Sequence, residues 1–166
     1  KEVSATVSII TGSESDMHLA NKCAETLESL SIDSSINVYS AHRTPELLKK
    51  HLDETERGGT KIYIAIAGLA AHLAGTIAAK TTKPVIGIPA ENGPLSGIDA
   101  LLSTVQMPKG IPVATVAIGT HGAANAAYLA AQILSLGSEE IVQKLVSLRE
   151  KNSEAVVEIN EKLEKK

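Results

Sequence analysis

A chain of 166 residues and 17.3 kDa with 43% hydrophobic residues can bury a full-sized core in one domain and leaves no room for a second. Its formal net charge of -3, with Lys and Arg scattered rather than gathered in a stripe, argues against a nucleic-acid backbone or an anionic membrane as partner, so any phosphate it recognises belongs to a small molecule. The single cysteine has no internal disulfide partner, and neither a signal-peptide pattern nor a bilayer-length apolar run is present; a reducing, cytoplasmic setting is expected. With no Phe, no Trp and three Tyr, the core must be built from Ala, Ile, Leu and Val. Taken in chain order, Thr6 to Thr11 reads as a β-branched strand and Asp16 to Leu30 as a helix. Cys23 falls in step with Ala20, Ala24, Leu27 and Leu30 on that helix, which reads as core rather than as a nucleophile. Ile36 to Tyr39 is the second strand, followed by a helix from Pro45 to Arg57 whose start is marked by Thr44 as N-cap, Pro45 at the first helical position and Glu46 in the first turn. Strands at Lys61 to Ala67, Pro84 to Ile88 and Val113 to Ile118 then alternate with helices at Ala70 to Thr81 and Gly97 to Val105, and two helices close the chain, Ala123 to Leu134 and Ser138 to Lys165.

Strand and helix in strict turn predict a parallel sheet, because parallel neighbours need crossover connections and those crossovers are right-handed. The expected fold is a three-layer doubly wound α/β domain of flavodoxin-like order 2-1-3-4-5, with its core at about 6–134 and a C-terminal helix at about 138–165. The final helix carries Ile141, Val142, Leu145, Leu148, Val156, Ile159 and Leu163 among many charges, a one-sided pattern suited to covering this subunit or a neighbour. Gly122 to Leu134 and Ala70 to Ala79 are small and apolar nearly all round. A domain of this size has few places to bury two such helices, so a homo-oligomer is expected.

In an open parallel sheet the ligand crevice lies beyond the carboxyl ends of the strands, and each segment there is polar and Gly-rich. Gly12-Ser13-Glu14-Ser15-Asp16 opens a helix, where unpaired N–H groups and two hydroxyls suit an anion; the same residues also read as a capping box, Ser13 to Asp16. Neither the Walker A lysine nor the full Rossmann glycine pattern is there, and Asp16 alternatively suits a ribose diol. Ser40-Ala41-His42-Arg43-Thr44-Pro45 places an imidazole beside a guanidinium where a strand gives way to a helix, a base and an anion clamp in one loop. Ala70-Ala71-His72-Leu73-Ala74-Gly75 surrounds His72 with small side chains that leave a dry, narrow space, or else holds a core histidine bonded to backbone near a helix start. His18 and His51 lie inside helices and read as structural or solvated, and His121 is open to either role. The histidines lack short ligand spacing and no Cys or carboxylate cluster joins them, which argues against a metal site.

These segments, with Pro84-Val85-Ile86-Gly87-Ile88-Pro89 and Ser96-Gly97-Ile98-Asp99-Ala100-Leu101-Leu102-Ser103-Thr104-Val105-Gln106-Met107-Pro108 in the same order, closely resemble the class I PurE family of N5-carboxyaminoimidazole ribonucleotide mutases, from about Val7 to Leu134. Related carboxylases that use free CO2 commonly place Arg-Ser-Asn after the Gly, so Ala70 to Leu73 points to the mutase branch. The resemblance implies an intramolecular transferase of the isomerase class in de novo purine biosynthesis. It would move a carboxylate from N5 to C4 of the aminoimidazole through a CO2 intermediate, with no metal, ATP, biotin or other cofactor, in a homo-octamer. By the same resemblance His42 carries the proton, Ser13, Ser15 and Arg43 hold the phosphate, Asp16 the ribose, and His72 with Gly68 and Ala70 shapes the base and CO2 pocket, while Ser40 positions the loop or substrate. The chain departs from the family at Thr120-His121, where Lys-Ala is common, and at Leu69 and Ala74, where Gly and Pro are frequent. Two other readings stay open: direct CO2-dependent carboxylation of aminoimidazole ribonucleotide, and a noncatalytic nucleotide-binding module on the same fold. A flavin is disfavoured by the lack of aromatics, and a phosphoacceptor receiver by the absence of an Asp after the third strand, which ends Ala65-Ile66-Ala67-Gly68.

Overall fold

Two β-branched strands with no polar face lie at the centre of the sheet, and that placement follows from their sequence. In β1 (Val7–Thr11) every residue is buried, and in β3 (Ile62–Ala67) every residue but the last, because helices cover both faces of a parallel sheet and leave no side for polar alternation. The computed structural model describes residues 4–164 and separates into two compact units, one up to Ala130 and one from Ala131. In the first unit β2 (Ser34–Val38) flanks β1, and β4 (Val85–Pro89) and β5 (Ala114–Thr115) complete a parallel five-stranded sheet of order β2-β1-β3-β4-β5, the expected doubly wound topology. The pairing of Thr11 with Val38 and Ile66, and of Ala67 with Pro89, brings the carboxyl ends of four strands to one edge.

The helices of this unit are α1 (Met17–Ser29), α2 (Pro45–Gly58), α3 (Leu73–Ala78), α4 (Ile98–Val105) and the start of α5 (Gly119–Ser135). Cys23 is fully buried on α1, as its spacing predicts, and burial pushes its thiol up to about 12, so it stays protonated and inert. On one side of the sheet Ile10, Tyr63 and Ala65 pack with Leu48 and Leu52 of α2 and with Leu73, Ala74 and Ile77 of α3. The Tyr63 hydroxyl shares a 2.9 Å hydrogen bond with Thr55 Oγ1, which satisfies the one polar atom that this buried ring brings inside. In α5, Ala123, Ala126, Ala127 and Ala130 form a wholly buried stripe at helical spacing. The second unit consists of the end of α5 and α6 (Glu139–Glu164), in which no residue is buried; the expected last helical residue, Lys165, lies outside the described residues.

Several boundaries differ from the sequence reading, each for a local reason. The third helix starts at Leu73 rather than Ala70 because Leu69 is left-handed, at φ 55°, and tight backbone bonds from Ala71 to Leu69 and from His72 to Ala70 use up the next residues. Leu73, Ala74, Ile77 and Ala78 of the Ala70 to Ala79 stretch are buried in the core just described, whereas Ala70 and Ala79 are exposed. The fifth strand shrinks to Ala114–Thr115, and α5 begins at Gly119, which turns Thr120, His121 and Gly122 from loop into first helical turn. That turn backs onto Ala117 so closely that any Cβ at Gly122 would overlap its carbonyl oxygen, a contact only glycine permits. The second strand starts at Ser34, earlier than the apolar pattern indicates, because an edge strand that is only half-buried shows weak periodicity.

Candidate active site

At the carboxyl edge of the sheet the loops after β1, β2, β3 and β4 enclose a cavity of about 630 Å3, within the range of small-molecule sites. All nine residues singled out from sequence, Ser13, Ser15, Asp16, Ser40, His42, Arg43, Gly68, Ala70 and His72, line it. His18, His51 and His121 do not. The His18 Nδ1 lies 3.2 Å from the Ser15 carbonyl oxygen, and His51 stacks on Tyr39 with ring centroids 4.7 Å apart while its Nε2 lies 3.3 Å from Ser8 Oγ, so both have structural partners.

The loop after β1 is built from hydroxyl bonds. The Thr11 hydroxyl donates to the Ser13 carbonyl at 2.8 Å, the Ser15 N–H to Ser13 Oγ at 3.3 Å, and the Ser15 hydroxyl to Ser13 Oγ at 3.0 Å. Ser13 thus caps a short 3-10 turn, Glu14–Asp16, and the capping box with Asp16 does not form. Asp16 stands at the N-cap of α1 but makes no cap bond there; it is almost fully buried, and its Oδ1 accepts from Asn92 Nδ2, with the Ser15 hydroxyl as the alternative donor at 3.4 Å when it is not bonded to Ser13 Oγ.

The loop after β2 closes on itself. Thr44 occupies the N-cap position of α2, yet its hydroxyl donates to the Ser40 carbonyl at 3.1 Å and accepts from the Ser40 N–H at 3.0 Å instead of capping the helix. The Arg43 N–H donates to Ser40 Oγ at 3.1 Å, so Ser40 works as a loop brace. The Arg43 guanidinium donates from Nη2 to the Gly12 carbonyl at 3.1 Å, which fixes its direction and leaves its other donors available at an exposed position.

Across the cavity the loop after β3 presents His72, whose ring centroid lies 3.8 Å from that of His42 with the planes at 36°. Partial burial, and secondarily the neighbouring His42, hold the His72 imidazole below its ordinary value, while a hydrogen bond with the Ala70 backbone pulls the other way. Two imidazoles in contact cannot both be charged cheaply, so a proton carried by one keeps its neighbour neutral.

Beyond those nine, Gly12, Ala41, Ala67, Leu69, Leu73 and Asn92 also line the cavity without an assigned role. Asn92 carries no reactive chemistry of its own, and its only signal is its position just after β4. Leu69 lines the mouth in left-handed backbone with its side chain 52% exposed. A leucine there stores strain of about 1–2 kcal/mol and buries little in return. Leu69→Gly is therefore expected to raise unfolding free energy by up to about 1 kcal/mol, after the greater freedom of glycine in the unfolded chain is subtracted. Urea denaturation checks this, and a loss of stability would show that Leu69 packing outweighs its backbone strain.

A model of the AIR carboxylase family matches residues 6–155. The N5-carboxyaminoimidazole ribonucleotide mutase of Escherichia coli K12 is 49% identical over 154 residues, covering 93% of this chain and 91% of its own. The mutases of Bacillus subtilis, at 46% over 95% of this chain and 97% of its own, and of Methanocaldococcus jannaschii, at 48% over 95% and 96%, are similar to the same extent. The crystal structure of Treponema denticola PurE superimposes with a TM-score of 0.87 at 36% identity, covering 95% of this chain and 97% of that one. By sequence across nearly its whole length and by fold, this chain belongs to the AIR carboxylase family.

Proposed function

We propose that the chain is an N5-carboxyaminoimidazole ribonucleotide mutase, converting its substrate to 4-carboxy-5-aminoimidazole ribonucleotide. The observation that carries this reading is the contacting His42–His72 pair lining one nucleotide-sized cavity together with Arg43 and the serine-rich β1 loop. Anion donors and an imidazole able to move a proton in one cavity match a phosphorylated substrate that must exchange protons at a heterocycle.

In this reading Ser13, Ser15 and Arg43 take the phosphate, Asp16 the ribose, and Gly68, Ala70 and His72 border the base and the CO2 pocket. As the N5–carboxylate bond breaks, His42 gives a proton to N5 and CO2 is released beside C4. Carbon C4 then supplies the electron pair that forms the new C–C bond, and His42 recovers a proton from the same carbon, so the protein ends as it began. Retention of CO2 between the two steps is what small side chains at Gly68 and Ala70 serve, since a molecule held next to C4 is present at high effective concentration. The neutral His72 suits a positioning part, hydrogen-bonding without competing for the proton.

The functional unit is a homo-octamer in the cytoplasm. The curated relatives support the chemistry by their names, and among the described residues no helix is long and apolar enough to cross a membrane. Purified chain should turn over N5-carboxyaminoimidazole ribonucleotide without ATP or metal. Turnover only of aminoimidazole ribonucleotide with bicarbonate would assign it to the CO2-dependent carboxylases instead, and light scattering that shows an active monomer at micromolar concentration would remove the octamer.

A further inference from the structure

Asp16 is an N-cap residue that does not cap. Asp is among the preferred N-cap side chains because its carboxylate accepts from backbone N–H groups of the first turn, yet here no such bond exists at the start of α1. The carboxylate is drawn instead across the cavity floor to the Nδ2 of Asn92, a residue 76 positions away in the loop after β4. The Ser15 hydroxyl lies 3.4 Å from the same Oδ1, but its single proton has the shorter 3.0 Å bond to Ser13 Oγ. Among the described residues no donor is directed at Oδ2, although Asp16 is only 2% exposed and lines the cavity. The position of Asn92 is itself constrained: a Cβ on Gly68 would lie 2.8 Å from Asn92 Nδ2 and 3.1 Å from its Cβ, so Gly68 leaves the space that the amide fills.

We propose that Asn92 is a positioning residue that holds Asp16 Oδ1 and leaves Oδ2 free to accept from the vicinal diol of a ribose, so that it contributes to preference for a ribonucleotide over its 2′-deoxy counterpart. This rests on the mutase reading for the identity of the substrate. Gly68 acts in the same arrangement by omission, admitting the amide that aims the carboxylate. Without Asn92 the carboxylate loses the donor that fixes Oδ1, and at ψ 5° the Asp16 backbone does not turn it onto the first turn of α1 as a cap, so the side chain no longer presents one set oxygen to the sugar.

The test compares wild type, Asn92→Ala and Asn92→Asp on N5-carboxyaminoimidazole ribonucleotide and on its 2′-deoxy analogue. Asn92→Asp keeps the side-chain shape over Gly68 but replaces the donor with an acceptor that repels Asp16. Both variants are expected to raise KM for the ribonucleotide about tenfold or more with kcat within about threefold, and to change KM for the deoxy analogue less than about twofold. Equal losses on both substrates, or an unchanged KM in Asn92→Asp beside an active wild type, would overturn this proposal alone. A wild-type chain that neither binds nor converts either ribonucleotide would overturn the mutase reading and this proposal with it.

Discussion

His42→Asn is expected to retain ligand binding and lose about ten-thousandfold in turnover, the upper end of what one general acid–base group contributes. Asn keeps a hydrogen-bonding side chain of similar reach but has no proton to give or take near neutrality, and in the proposed cycle one imidazole serves both the N5 and the C4 step. The loop should survive the change. Its geometry comes from Thr44 and Arg43 bonding to Ser40, none of which involves the imidazole. The ring contact with His72 would be lost, relieving the neighbouring influence that helps hold the His72 imidazole down, so residual activity should show an altered pH profile. Single-turnover kinetics beside a binding titration separates the two effects. Near-normal turnover would remove His42 as proton carrier and make His72, in contact with it, the next group to replace.

What could be read from the residues, and what could not, divides along a physical line. The sheet order and the edge carrying the cavity follow from alternation and crossover handedness, which are properties of the whole chain, and the structure has both. All nine expected lining residues sit after a strand, so placing the strands was enough to gather them. Features decided by one torsion or one distant partner stayed hidden. Leucine is an ordinary helix former and does not itself announce that Leu69 takes a positive φ and delays α3 to Leu73; the one signal is that Gly is frequent at this position in the family. In Ser13-x-x-Asp16 the serine caps as its signal indicates but Asp16 turns to Asn92, and at Thr44-Pro45 the threonine turns to Ser40. Cap propensity yields to a distant amide for Asp16 and to a bond within its own loop for Thr44, and both cases lie on the cavity loops, where departures from local rules are expected.

Arg43→Ala should raise KM about ten- to a hundredfold and leave the fold in place, which makes it the counterpart of the His42 change: binding lost, chemistry kept. A hydrogen bond to a charged group contributes about 1.5–3 kcal/mol, and that range sets the size of the effect. The folded chain loses little, because the guanidinium is exposed and gives up only its 3.1 Å bond to the Gly12 carbonyl, an oxygen that water can reach at that edge. That bond has a second consequence. Since Nη2 is tied to the end of β1, the remaining donors point from a fixed fork, and Lys, a single mobile ammonium, should restore the charge without restoring KM fully. Raised ionic strength should weaken wild-type binding more than that of Arg43→Ala, because only the wild type has this charge to screen. The decisive comparison uses the substrate and its nucleoside, which lacks the phosphate: wild type should bind the nucleoside much more weakly, and in Arg43→Ala that gap should narrow by about ten- to a hundredfold, Ser13 and Ser15 keeping the rest. If the variant still distinguishes them as wild type does, the phosphate lies elsewhere, and the hydroxyls of Ser13 and Ser15 become the groups to test.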